Sequence, residues 1–308
     1  MDVPAGPASR QVSDVALDTH SAMPDGAGSG AYPAIMEVDP SLPGHVIYRP
    51  ADLSRLDGRK LPVVVWGNGG CSADAANARL HLLELASHGY LVIAAGEILS
   101  GPGASDAPQS AQPAADGKLP DAAVSAQDMV EGIDWAIAQN AHRASPYFGL
   151  IDTGHIAASG RSCGGLLALR VADDSRIGAV VVHNSGTFPV GTELMVGGVE
   201  GSRTLLDGLH TPVIYIMGGE TDIAWQNATD DYAALASRPV FLASQDVGHG
   251  GTFAQPNGGD GARVAVAWLD WQLKDDADAA ELFTGPDCGL CASPEWTVMR
   301  RNLPGAPN

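Results

Sequence analysis

The sequence predicts an α/β protein with a mostly parallel central sheet, helices on both faces and no large cap domain. Three observations carry that expectation. Short runs that are apolar throughout, such as "LPVVVW" at 61–66 and "YLVIAA" at 90–95, read as strands buried on both faces. These runs alternate with stretches of helical period, as repeated strand-helix-strand units require. Glycine-rich turns follow several of the strands, at the carboxyl end of the sheet where ligands bind in such architectures.

Taken in order, residues 1–33 are rich in Pro, Gly, Ser and Asp and read as an irregular arm. The first strand is expected within "YPAIMEVDP" or "HVIYRP", followed by the strand 61–66 and a helix over 74–89. In that helix Ala76, Leu80, Leu83 and Ala86 fall near one face, and "SHG" supplies a terminating glycine. A strand at 90–95 and a helix at 122–141 come next, then a strand at 155–159, a helix at 164–172 and a strand at 177–184. Strands at 212–218 and 238–244 and a helix at 261–275 complete the set. We therefore expect one domain over 34–275, with 276–308 as a tail packed on it. The loops 96–120 and 186–210 both follow strands and read as pocket walls or a small lid.

Composition excludes several classes. The chain has 308 residues, with 36 acidic against 17 basic side chains, and its net charge of -19 repels nucleic-acid backbones. No uncharged apolar run is long enough to span a membrane. The first twenty residues lack the basic and apolar regions of a signal peptide. The four cysteines are compatible with two disulfides and with a secreted or periplasmic location; a cytoplasmic one stays open. No metal-ligand cluster or phosphate-binding loop is visible, and no cofactor is expected.

The stretch "GHIAASGRSCGGLLALR" at 154–170 joins an apolar strand to an apolar helix through Gly160-Arg161-Ser162-Cys163-Gly164. A Gly-x-Ser-x-Gly in that context is a nucleophile elbow, which lifts Ser162 above the sheet edge at a helix N-terminus. A serine hydroxyl needs a base and an orienting acid. Asp222, in "GGETDIA", and His249, in "GHGGTF", each follow a strand and come in the order Ser, Asp, His. Glu220 is the alternative acid. His183, at a strand end, is the rival base, but it precedes the acid and reads instead as a pocket wall. The backbone N–H groups of Cys163 and of Asn68, in the turn "WGNGGCS", are the expected oxyanion donors, although a glycine-rich turn with no such role fits Asn68 too.

With these residues placed, the chain resembles the α/β-hydrolase superfamily, in particular platelet-activating-factor acetylhydrolases, dienelactone-hydrolase-like proteins and cutinase-like polyesterases. The stretch "VVVWGNGGCSADAANARLHLLELASHGYLVIAAGE" looks like their strand-turn-helix-strand, "GRSCGG" their nucleophile motif, "GGETDIA" the acid turn of the polyesterases and "GHGGTF" their histidine loop. The resemblance spans about residues 45–275. It implies a serine hydrolase that cleaves carboxylic esters through a covalent acyl-enzyme, with Asn68 and Cys163 as oxyanion donors. Trp66 stands where relatives often have histidine. The implied fold makes the oxyanion and nucleophile loops neighbours, so that Cys71 and Cys163 are either a disulfide stiffening the oxyanion hole or two buried thiols. Cys288 and Cys291, in an isolated CxxC, read as a local disulfide rather than a zinc or redox site. Trp66, His183, Phe188 and Trp225 are expected near the cleft, where they favour aryl, feruloyl-like or polyester substrates, unless they are ordinary packing. The expected partner is a small or polymeric ester. A peptidase or lactone hydrolase using the same triad, and a non-catalytic binding protein, are the competing readings.

Overall fold

The apolar runs pair into one nine-stranded sheet with the order β1-β2-β4-β3-β5-β6-β7-β8-β9. The computed structural model describes residues 23–102, 104, 120–192 and 197–306. The strands are β1 (Ala34–Glu37), β2 (His45–Pro50), β3 (Leu61–Gly67), β4 (Leu91–Ala95), β5 (Ile151–Arg161), β6 (Ile177–His183), β7 (Val213–Met217), β8 (Val240–Ser244) and β9 (Thr297–Arg301). From β4 to β8 all neighbours are parallel, while β1, β2 and β9 pair antiparallel at the two edges. Helices α1 (Arg79–Ser87), α2 (Ala126–Ala141), α3 (Cys163–Val171), α4 (Trp225–Ala234) and α5 (Gly259–Lys274) cover the sheet, with short α6 (Ala277–Ala280) and α7 (Gly289–Ala292) in the tail. Among the described residues no helix is long and apolar enough to cross a membrane.

Strand alternation divides the core in two. Val63, Val65, Ile93, Ala158, Val180 and Val182 pack with α2 and α3 on one face. Val64, Val92, Ala157, Val181 and Phe241 pack with α1 and α5 on the other. Burial on both faces is why these strands read as unbroken apolar runs.

Most expected elements are present, with boundaries moved for local reasons. Helix α1 starts at Arg79 rather than 74, because Asp74 bridges to Glu97 and caps the amide of Ala76. Its end is as expected: Gly89 adopts φ 86°. Helix α2 starts at Ala126, where Ser125 and Asp128 form a capping box. All nine residues of α1 are buried, not one face only. The reason is the arm: in its described part Asp25 pairs with Arg79, Ser29 bonds to Glu84, and Gly30 bonds to Ser87, so residues 23–33 cover the outer side of the helix.

Helix α4, strand β9 and the four-residue helices α6 and α7 were not expected. Helix α4 carries only a thin apolar stripe, buried Ala228 flanked by half-buried Trp225 and Tyr232, among polar and acidic residues. Strand β9 lies in the stretch expected to be a tail and pairs with β8 from Val240↔Arg301 to Ser244↔Thr297, covering that edge of the sheet. Within the loop 96–120, residues 103 and 105–119 lie outside the described residues, as do 193–196 in the loop 186–210 and residues 1–22 of the arm.

Candidate active site

Register sets the site. Gly67 lies opposite Gly160, Arg161 opposite His183, His183 opposite Ile216, and Met217 opposite Ser244. Five parallel strands thus end near one level, and the segments after them meet along one edge of the sheet.

Ser162 sits between β5 and α3 with φ 51° and ψ -124°, a backbone region that residues with a Cβ rarely enter. Three glycines make this turn possible by close approach. A Cβ on Gly160 would come within 2.1 Å of Gly164 O, one on Gly164 within 2.0 Å of Gly67 O, and one on Gly67 within 2.5 Å of Gly164 O. The turn is held from β6: Ser162 N–H donates to His183 O at 2.9 Å, and Ser185 Oγ donates to Ser162 O at 2.7 Å.

Ser162, His249 and Asp222 come together. Ser162 Oγ donates to His249 Nε2 at 3.0 Å, and His249 Nδ1 donates to Asp222 Oδ1 at 2.7 Å, an assignment of protons that follows from the network. Glu220, the alternative acid, is exposed. Asp222 is buried and also accepts from Ala224 N–H at 3.0 Å, Gly218 N–H at 3.1 Å and Asn184 Nδ2 at 2.7 Å. Burial alone pushes this carboxyl up, but the bonds from His249, Ala224, Asn184 and Gly218 outweigh it and bring its pKa down to about 2. Asp222 is therefore a carboxylate at neutral pH.

Asn184 is the site residue that sequence reasoning missed. It adopts φ 46° just beyond β6, which aims its amide at Asp222 and at Gly248 O, 3.3 Å away. Residues 183–185 thus hold Ser162 by its backbone and Asp222 by a side chain. An asparagine beyond a strand, preceding Ser-Gly, was the available signal.

The segment expected to carry an oxyanion donor follows β3. Asn68 is buried, and its side chain donates to Ser72 O at 2.9 Å and Ala95 O at 2.6 Å, tying the turn to the end of β4. A Cβ on Gly164 would lie 2.7 Å from Asn68 N, so this amide lies against the start of α3. Cys163 is the first residue of α3, and its N–H has no intrahelical acceptor. Cys71 pairs with Cys163, with Cα atoms 5.3 Å apart, which ties the two segments together; Cys288 pairs with Cys291 at 4.9 Å.

Two pocket expectations need correction. Trp66 and His183, expected on the cleft wall, are each 1% exposed and pack with His81 and Phe253 in an aromatic cluster beneath the site. Strand alternation turns both side chains into the layer under α1 and α5. Burial, joined by the nearby charges of His81 and Arg161, holds the His183 pKa well below its ordinary value, so this ring is neutral. Trp225 and Phe188 are half-buried: Trp225 opens α4 three residues after Asp222 and packs on the core, and Phe188 is held by its backbone to Gly201 and Arg203. The apolar side chains exposed beside the triad are instead Ile223, next to Asp222, and Val247, two residues before His249.

Comparison with known proteins gives no matching family model and no curated relative in sequence.

Proposed function

We propose that this protein is a serine hydrolase of the α/β-hydrolase fold that cleaves carboxylic esters through an acyl-enzyme. The observation that carries the reading is the linked chain from Ser162 Oγ through His249 to Asp222, at 3.0 and 2.7 Å, on a positive-φ turn between a strand and a helix. His249 takes the proton as Ser162 attacks the ester carbonyl and returns it to the leaving alcohol; Asp222 holds the reactive tautomer and stabilises the imidazolium. The N–H groups of Asn68 and Cys163 receive the oxyanion, with the α3 N-terminus adding a favourable dipole. Water, activated by the same histidine, then releases the acid.

Exposed Ile223 and Val247, with half-buried Trp225 and Phe188, support an apolar or aromatic ester, in the class of aryl, feruloyl-like or polyester substrates. The two disulfides support function in an oxidising compartment outside the cytoplasm. The test is initial-rate hydrolysis of p-nitrophenyl acetate, butyrate and octanoate, methyl ferulate and an aromatic diester by wild type and Ser162→Ala. The proposal expects turnover of at least one ester that disappears in the variant. Folded protein without turnover of any of them contradicts it.

A further inference from the structure

The residue before the nucleophile, Arg161, holds a cation at the site that the triad does not use. Its Nη2 donates to His249 O at 3.1 Å and its guanidinium lies over the Phe253 ring, 5.3 Å from the centroid. Nε is buried without a partner; Nη1, likewise unpartnered, reaches solvent beside the oxyanion turn, where a Cβ on Gly69 would lie 3.6 Å from it. Among the described residues no carboxylate pairs with this guanidinium, in a chain with 36 acidic side chains. Asp222 is near enough to be felt electrostatically, but its oxygens are occupied by His249, Asn184 and two amides.

Bracing the His249 carbonyl needs a single N–H, which a neutral amide supplies. The positive charge, met by the face of Phe253 and the more distant Asp222 but by no paired carboxylate among the described residues, and the remaining donors of Nη1 and Nη2 are left over. A planar guanidinium with an open edge matches the geometry of a carboxylate, and apolar surroundings strengthen that pairing. The edge lies between the Gly69 turn and the His249 loop, the two segments to which the esterase reading assigns the oxyanion donor and the base. Resting on the esterase reading, we propose that Arg161 is a specificity-determining residue and that the preferred substrate is an ester bearing a free carboxylate.

The test compares two matched pairs: monomethyl and dimethyl adipate, where the charge is on the acyl side, and 4-acetoxybenzoate and its methyl ester, where it is on the leaving group. The quantity is the ratio of kcat/KM for the anionic and neutral member, measured for wild type, Arg161→Gln and Arg161→Lys. Dividing the variant's ratio by that of wild type cancels intrinsic reactivity and any general effect on the histidine loop. For one pair this ratio should fall by about tenfold or more in Arg161→Gln and by less in Arg161→Lys. As a check that needs no variant, adipate or 4-hydroxybenzoate should inhibit wild-type hydrolysis of p-nitrophenyl acetate more strongly than its methyl ester does. Ratios unchanged within about twofold for both pairs overturn the proposal and leave Arg161 as a brace. Equal inhibition by acids and methyl esters overturns it as well. A fluorophosphonate probe separates the two levels: labelling of Ser162 with unchanged ratios removes only the carboxylate preference, whereas no labelling and no hydrolysis removes the esterase reading and this proposal together.

Discussion

Removing the Cys71–Cys163 disulfide by Cys71→Ala/Cys163→Ala is expected to destabilise the fold and weaken the oxyanion hole together. The two cysteines are 92 residues apart in sequence, against 3 for Cys288 and Cys291. Loop-closure entropy then assigns ~4.6 kcal/mol to the first link and ~1.9 kcal/mol to the second, with typical measured values for a disulfide of ~2–4 kcal/mol. At about 1.5 °C per kcal/mol, from an unfolding entropy of ~2.1 cal/mol/K per residue over 308 residues, the first double variant should melt about 3–7 °C lower than wild type. Cys288→Ala/Cys291→Ala should fall by about half as much. The catalytic consequence follows from position. Cys163 carries one of the proposed oxyanion N–H groups, and Cys71 lies three residues beyond Asn68, the other proposed donor, its own N–H bonded to Asn68 O at 3.0 Å. The close contact of Gly67 with Gly164 still holds the two segments near each other, so the loss in kcat should stay at about tenfold, below the ~10²–10³ for complete loss of one donor. Differential scanning fluorimetry and initial rates on p-nitrophenyl acetate read both effects. The reasoning is refuted if the Cys71/Cys163 variant melts no lower than the Cys288/Cys291 variant and keeps wild-type kcat.

Three further outcomes are expected. Gly164→Ala places a methyl 2.0 Å from Gly67 O, so it should cost about 1–3 kcal/mol or more in urea unfolding and displace the Asn68 amide, with a matching loss of kcat. The Asp222 pKa is lowered to about 2 in the fold, so its ionised form stabilises the protein above pH ~4, and about 2 kcal/mol of that is lost as pH falls from ~4 to ~2. Asn184→Ala removes one of the bonds that lower it and should shift this loss to higher pH in acid-unfolding curves; an unchanged curve would show that Asn184 does not hold the carboxylate. Asp231 works in the opposite sense. Burial pushes its carboxyl up to about 6 despite bonds from Thr187 and Tyr215, so the folded state binds the proton more tightly than the unfolded chain. Stability should fall as pH rises from ~4 to ~6, and Asp231→Asn should flatten that part of the Tm profile.

The candidate triad was legible because the proposed chemistry demands particular residue types at strand ends, and the strands were marked by unbroken apolar runs. Ser162, Asp222 and His249 fell where those runs stop, and the sheet register then brought them together. What lay beyond reading depends on side-chain direction and tertiary cover. Trp66 and His183 occupy the right strand ends but point into the layer below, a distinction of one residue in strand phase. Asn184 acts through a left-handed backbone that an asparagine tolerates but does not announce. Helix α4 marks its buried side only with Trp225, Ala228 and Tyr232 among polar and acidic residues, and β9 is an edge strand whose "TVMRR" has neither an apolar run nor clean alternation. Helix α1 is masked the other way, its outer face covered by an arm whose composition is that of a loop.

The central claim is that Ser162 is an activated nucleophile. Its most direct test is intact-protein mass spectrometry after exposure to a fluorophosphonate, for wild type, Ser162→Ala and His249→Ala. The account predicts one adduct per chain on Ser162 in wild type, none in Ser162→Ala, and labelling slowed by several orders of magnitude in His249→Ala. Folded wild type that takes up no adduct, or an adduct that persists in Ser162→Ala, would contradict it.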